Sequence, residues 1–185
     1  PTRRSSDLDN AATTFPKPPA VAQAMARCLA ETGGNPGRGA HRLAVAAGRL
    51  VLGARLAVAR LVGARDPLRV VWGPNATWAL NLALRGFLCD GDRVVTTAME
   101  HNSVLRPLLA LAAERRLRLR VVRASAAGRV DPDDVARAVR RLGGAALVAV
   151  NHASNVTRAV QPLAAIGAGC RAAGVPLLVD AAQSL

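Results

Sequence analysis

Asp180 directly follows the apolar run Pro176–Val179, which sets a carboxylate at the buried end of a strand. A bare negative charge is expensive there unless a cation or several donors meet it, and a protonated pyridine nitrogen is one such cation. The turn Gly73-Pro74-Asn75-Ala76-Thr77 leads into a helical pattern and offers free backbone N–H groups, a helix terminus and a hydroxyl, a set that suits a phosphate. The same turn serves equally well as a plain helix cap through Asn75. It lacks the G-K-[ST] of a P-loop, and the glycines of Gly33 to Gly39 follow a helix instead of a strand, which disfavours a dinucleotide fingerprint. His101, in Glu100-His101-Asn102-Ser103, either completes a local hydrogen-bond network or performs chemistry. Asn155 and Gln183 are likewise either loop formers or ligand donors when taken singly.

The elements that must position these groups follow a regular order. Pro18 to Glu31 is helical, opened by prolines and closed by Gly33-Gly34, and an amphipathic helix spans about Ala40 to Val62. After Asp66-Pro67, short β-branched runs alternate with helical ones, the signature of a parallel sheet with crossover helices. Strands are expected over Val70–Trp72, Arg93–Thr97, Leu117–Val122, Ala145–Val150 and Leu177–Val179. Helices are expected over Asn75–Phe87, Ser103–Arg115, Asp131 to about Leu142, and near Leu163–Ala173. Such a sheet binds ligands at the carboxyl ends of its strands. The polar loops after four of the five strands, carrying Thr77, His101, Asn155 and Asp180, are therefore expected to converge on one cleft.

Composition narrows the classes. At 185 residues and 51% hydrophobic content the chain can bury one sizeable core. No apolar run reaches the ~18 to 20 residues that cross a bilayer, and the start lacks a signal-peptide layout, so a cytoplasmic protein is the default. Cys28, Cys89 and Cys170 stand far apart without metal-ligand spacing and read as small buried hydrophobes. The net charge of +13 invites a nucleic-acid partner. Against that, the basic residues are arginine except for Lys17, aromatic content is 2%, and Arg116-Leu117-Arg118-Leu119-Arg120 alternates as a half-exposed strand does. Pro1 to Leu8 resembles the in-frame translation of a sequencing-library adapter, so residues 1–7 are set aside as non-native, 8–65 read as an N-terminal arm and helices, and 66–185 as a partial large domain.

Five motifs, in order, resemble the cysteine desulfurases within the class V aminotransferase group of fold type I pyridoxal-phosphate enzymes. They are Leu8–Pro18, Gly34–Arg42, Met99–Pro107, His152–Thr157 and Asp180–Ser184. The resemblance implies a three-layer α/β/α fold with a mostly parallel sheet, the large domain of that fold type, incomplete at its C-terminus. It implies pyridoxal 5'-phosphate as cofactor, with Asp180 on the pyridine nitrogen and His101 stacked on the ring and assisting proton transfer. Gln183 and Asn155 would bond the phenolic oxygen or the substrate, and the Ala76 backbone and Thr77 hydroxyl would hold the phosphate. Asn10, Ala11, Ala12 and the Arg38 to His41 loop would line the substrate entrance at a dimer interface.

The implied reaction takes L-cysteine to L-alanine and an enzyme persulfide, with a sulfur-acceptor protein downstream, as in iron–sulfur cluster assembly. The family's persulfide cysteine lies in its C-terminal half, so Cys28, Cys89 and Cys170 are not candidates. Lys17 carries no sign of being the Schiff-base lysine, so the fragment by itself is expected to be inactive. Two departures stand out: Arg158 occupies a position where the family usually has glycine, and Ala76 replaces a threonine found in many relatives. The enzymatic alternatives are a selenocysteine lyase or another class V aminotransferase; the non-enzymatic one is a basic nucleic-acid-binding protein.

Overall fold

A computed structural model of the chain describes residues 14–185. The expectations for Asn10, Ala11, Ala12 and the adapter-like start fall outside the described residues. Two compact units divide at Trp72–Gly73.

The first unit carries α1 (Pro19–Glu31), α2 (Arg42–Val62) and a 3-10 turn over Pro67–Arg69. His41 caps α2 by accepting the Ala44 N–H on its ring at 3.4 Å, and Gly63 ends the helix at φ +68°. No strand forms over Val70–Trp72, which corrects the expectation from sequence. Val70 is extended, at φ −80° and ψ 113°, but a β-branched run becomes a strand only when a neighbour supplies its ladder. None does so among the described residues, and Val71 stays 68% exposed.

The second unit alternates helix and strand without interruption: α3 (Ala76–Phe87), β1 (Arg93–Thr97), α4 (Asn102–Glu114), β2 (Arg118–Val122), α5 (Pro132–Arg141), β3 (Leu147–Asn151), α6 (Leu163–Ala172) and β4 (Leu177–Asp180). The strands pair in the order β2-β1-β3-β4, all parallel. Because side chains alternate along a strand, Val94, Leu147 and Ala149 bury against Leu80 and Leu84 of α3 and Val104, Leu108 and Leu111 of α4. Val95, Val148 and Val150 face the other way, onto Val135 and Val139 of α5 and Ile166 and Cys170 of α6. Helices thus cover both faces in three layers. Each fully buried Leu or Val stabilises the unit by roughly 1.5–3 kcal/mol.

Connections out of β1 and β3 leave in opposite directions, β1 through α4 to β2 and β3 through α6 to β4. That reversal opens a crevice at the carboxyl ends of the central strands, where an open α/β sheet receives its ligand. Register places Asn151 opposite Asp180, so Thr97, Asn151 and Asp180 end three adjacent strands.

Candidate functional site

A cavity of about 230 Å³ opens at these strand ends. Its walls include Ala76, Thr77, His101, Asn155, Asp180 and Gln183, six residues singled out from the sequence, together with Asn75, Leu80, Ser103, Asn151, Ala153 and Ala182. Arg38 and His41 belong to the first unit, where Arg38 lies in the exposed loop ahead of α2 and His41 serves as its cap.

At one wall Asn75 caps α3, its Oδ1 accepting the Trp78 N–H at 2.8 Å while its carbonyl accepts that of Ala79 at 3.2 Å. Those two bonds leave the Ala76 and Thr77 N–H groups, the first two of the helix, with no acceptor among the described residues. Capping and anion binding, alternatives in the sequence, are therefore compatible: the cap consumes one donor and the dipole end keeps two. The Trp78 indole folds back over Gly73, and a Cβ at Gly73 would overlap it, so the turn needs glycine at that point.

The opposite wall begins at His101, the N-cap of α4. Its Nδ1 accepts the Ser103 backbone N–H at 3.1 Å, which puts the proton of the neutral ring on Nε2. The Ser103 hydroxyl lies 2.9 Å from that same Nδ1 and 2.7 Å from the Thr77 hydroxyl, linking the starts of α4 and α3. Sequence patterns missed Ser103; its place in the first turn of a capped helix, two residues after His101, was the available signal.

Asp180 closes the floor. It is buried, at 7% exposure, with Oδ1 accepting the Ala182 N–H at 3.0 Å. Among the described residues no lysine or arginine pairs with it; ion pairs there include Arg69–Asp66, Arg85–Glu114 and Arg137–Asp134. Asn151, also missed, donates through Nδ2 to the Met99 carbonyl at 3.3 Å and ties β3 to the loop that carries His101. Behind the floor, Glu100 accepts the Thr97 hydroxyl on Oε1 at 2.6 Å while Oε2 is buried without a hydrogen-bond partner.

Asn155 stands on the loop after β3, held by the Ser154 hydroxyl, which accepts the Val156 and Thr157 N–H groups at 3.3 and 3.2 Å. Arg158 in that loop adopts φ +61°, the left-handed conformation that glycine takes at no cost and arginine does not. The cysteines differ from the expectation that all three are buried. Only Cys170 is, and burial raises its thiol pKa; Cys28 is half-buried on α1, which has no buried residue, and Cys89 is exposed in the turn before β1. The described residues contain no cluster able to hold a metal ion and no helix long and apolar enough to cross a membrane.

Relatives share this arrangement of elements. The chain is 38% identical over 183 residues to a cysteine desulfurase IscS of Pseudomonas fluorescens, covering 96% of this chain and 44% of the relative. It is 38% identical over 177 residues to a probable cysteine desulfurase of Methanothermobacter thermautotrophicus, covering 95% and 43%. Among solved structures, the apo cysteine desulfurase of Thermococcus onnurineus superposes with a TM-score of 0.86 at 34% identity, over 95% of this chain and 44% of that one. SspA in complex with cysteine gives 0.85 at 27% identity, over 95% and 50%. The chain thus spans less than half the length of the curated relatives it matches. The model of the aminotransferase class-V family matches residues 7–185, and the chain belongs to that family.

Proposed function

We propose that this chain is the N-terminal part of a pyridoxal-phosphate-dependent cysteine desulfurase, a cytoplasmic homodimer that hands sulfur to an acceptor protein. Cysteine desulfurases and class-V aminotransferases are pyridoxal-phosphate enzymes. The observation that carries the assignment is one cavity that gathers a buried carboxylate and a hydroxyl with two helix N–H groups, the carboxylate without a cationic partner and the N–H groups without an acceptor among the described residues. The carboxylate acceptor and the N–H and O–H donors match the two ends of the cofactor. Asp180 would accept the pyridine N–H, while the Ala76 and Thr77 N–H groups and the Thr77 hydroxyl would hold the phosphate.

The cofactor, when bound, supplies an electron sink for the substrate α-carbon. The chain's own residues hold and orient. Asp180 would keep the ring nitrogen protonated, His101 would pack on the ring with Nε2–H available, and Asn155 and Gln183 would bond the phenolic oxygen or the substrate. In the net reaction the C–S bond of L-cysteine breaks, an S–S bond forms on an enzyme thiol, and the carbon released takes a proton to give L-alanine. The Schiff-base amine and the persulfide thiol are assigned to the stretch of the relatives' length that this chain does not span.

Pyridoxal phosphate uptake by the purified chain, followed by equilibrium dialysis, tests the assignment. Asp180→Asn and Thr77→Val are each expected to weaken uptake tenfold or more, about 1.4 kcal/mol. The chain itself is expected to yield no alanine from L-cysteine. Uptake indifferent to both substitutions, or alanine released by the chain alone, would overturn it.

A further inference from the structure

Thr77, Ser103 and His101 form a line of polar atoms, Thr77 Oγ1 to Ser103 Oγ at 2.7 Å and Ser103 Oγ to His101 Nδ1 at 2.9 Å. Ser103 is 9% exposed and stands in the cavity wall beside Thr77. Each hydroxyl owns one proton, which permits two arrangements of the line. In the first, Ser103 donates to Nδ1 and Thr77 donates to Ser103, so the Thr77 proton is spent inside the protein. In the second, Ser103 donates to Thr77, whose own proton turns into the cavity, and Nδ1 keeps only the Ser103 backbone N–H.

A dianionic phosphate ester at the start of α3 offers only acceptor oxygens, so it selects the second arrangement. We propose that Ser103 is a positioning residue that relays occupancy of the Thr77 end of the cavity to His101 by reversing a single hydroxyl proton. Filling the anion end thereby withdraws one of the two donors from His101 Nδ1 at the other end of the line. This inference rests on the assignment of Thr77 to the phosphate, but the relay itself exists with or without a ligand and is testable without one.

The readout is the Nδ1 resonance of His101 in the 15N-labelled 185-residue chain, followed at one fixed pH of about 8. Of the three histidines, His41 and His152 are removed as glutamine variants for assignment. Ser103→Ala is expected to move Nδ1 downfield, towards the position of an unbonded ring nitrogen. Thr77→Val, which leaves the Ser103 proton no other acceptor, is expected to move it upfield. In the Ser103→Ala background Thr77→Val is expected to do nothing, and Ser103→Thr, which keeps the hydroxyl, restores the wild-type position. Inorganic phosphate is expected to move Nδ1 downfield in the wild type and not in Ser103→Ala. A Thr77→Val shift of equal size in both backgrounds overturns the relay, as does a phosphate effect that survives Ser103→Ala. If phosphate fails to perturb the Ala76 and Thr77 amides at all, the phosphate assignment falls, and the ligand-free cycle still decides the relay.

Discussion

Burial pushes the Glu100 carboxyl up to about 7, opposed by the Thr97 hydroxyl and the Asn151 backbone and reinforced by the Asp180 charge. In the unfolded chain the same group titrates near the ordinary glutamate value of about 4.3. The native state therefore holds this proton over a range in which the unfolded state has lost it. The resulting stability is complete below the unfolded pKa and drains away as pH rises through about 7, a loss on the order of 3 kcal/mol. Glu100→Gln carries a permanently neutral side chain of the same shape. It is expected to flatten that part of the profile and to be more stable than the wild type at pH ~8, read as urea unfolding free energies. Parallel profiles for the two proteins would show that Glu100 is not the titrating group. Nothing in the sequence distinguished Glu100 from a solvated loop carboxylate. Its neighbour His101 stood out by its place in the loop after an expected strand, whereas the burial of Glu100 beside the ends of β1 and β3 exists only in the folded chain.

At the next scale, the caps were legible wherever a short polar side chain stood before a helical run. Asp131 before Pro132 and Asn75 before Ala76 both bond as such residues do, with Asp131 Oδ1 accepting the Asp133 N–H at 2.9 Å. Strands were legible where a neighbour exists to pair them, as with Arg93–Thr97, and illegible at Val70–Trp72, because pairing is a property of the partner as much as of the run. The Arg-Leu alternation of 116–120 overlaps β2 only in part: Arg118 and Arg120 are exposed and Leu119 half-buried on the strand, while Arg116, at φ +53°, and Leu117 precede it. Asn75 separates the two tasks of the α3 terminus. Asn75→Ala removes the bond to Trp78 and is expected to cost about 1 kcal/mol in unfolding while leaving the Ala76 and Thr77 donors in place. Asn75→Asp keeps the cap but sets a negative charge beside the anion end. It is expected to preserve stability and to weaken pyridoxal phosphate uptake, so equal uptake by Asn75→Asp and the wild type would place the phosphate elsewhere.

Over the whole molecule, two forces act in opposite directions on association between copies. The net charge of +13 repels like molecules, while the second unit presents apolar surface beside an open sheet edge. Among the described residues nothing pairs with the outer side of β4. A groove of about 400 Å³ beside it is lined by Leu82, Phe87, Leu147, Leu177 and Leu178, with Leu82 and Phe87 about half exposed. The order of the elements made the parallel sheet readable from sequence. This surface was not, because a run such as Leu177–Val179 looks the same whether both of its sides are covered or one. Salt screens the repulsion over a distance that falls from about 10 Å at 0.1 M to about 3 Å at 1 M, and it leaves apolar contact intact. Self-association of the chain is therefore expected to strengthen as salt rises, the reverse of what ionic contacts or nucleic-acid carry-over would give. Leu82→Lys and Phe87→Lys, each adding charge to the groove, are expected to reduce it. Sedimentation velocity across a salt series decides: association that weakens with salt, or ignores both substitutions, would remove the β4 side as its seat.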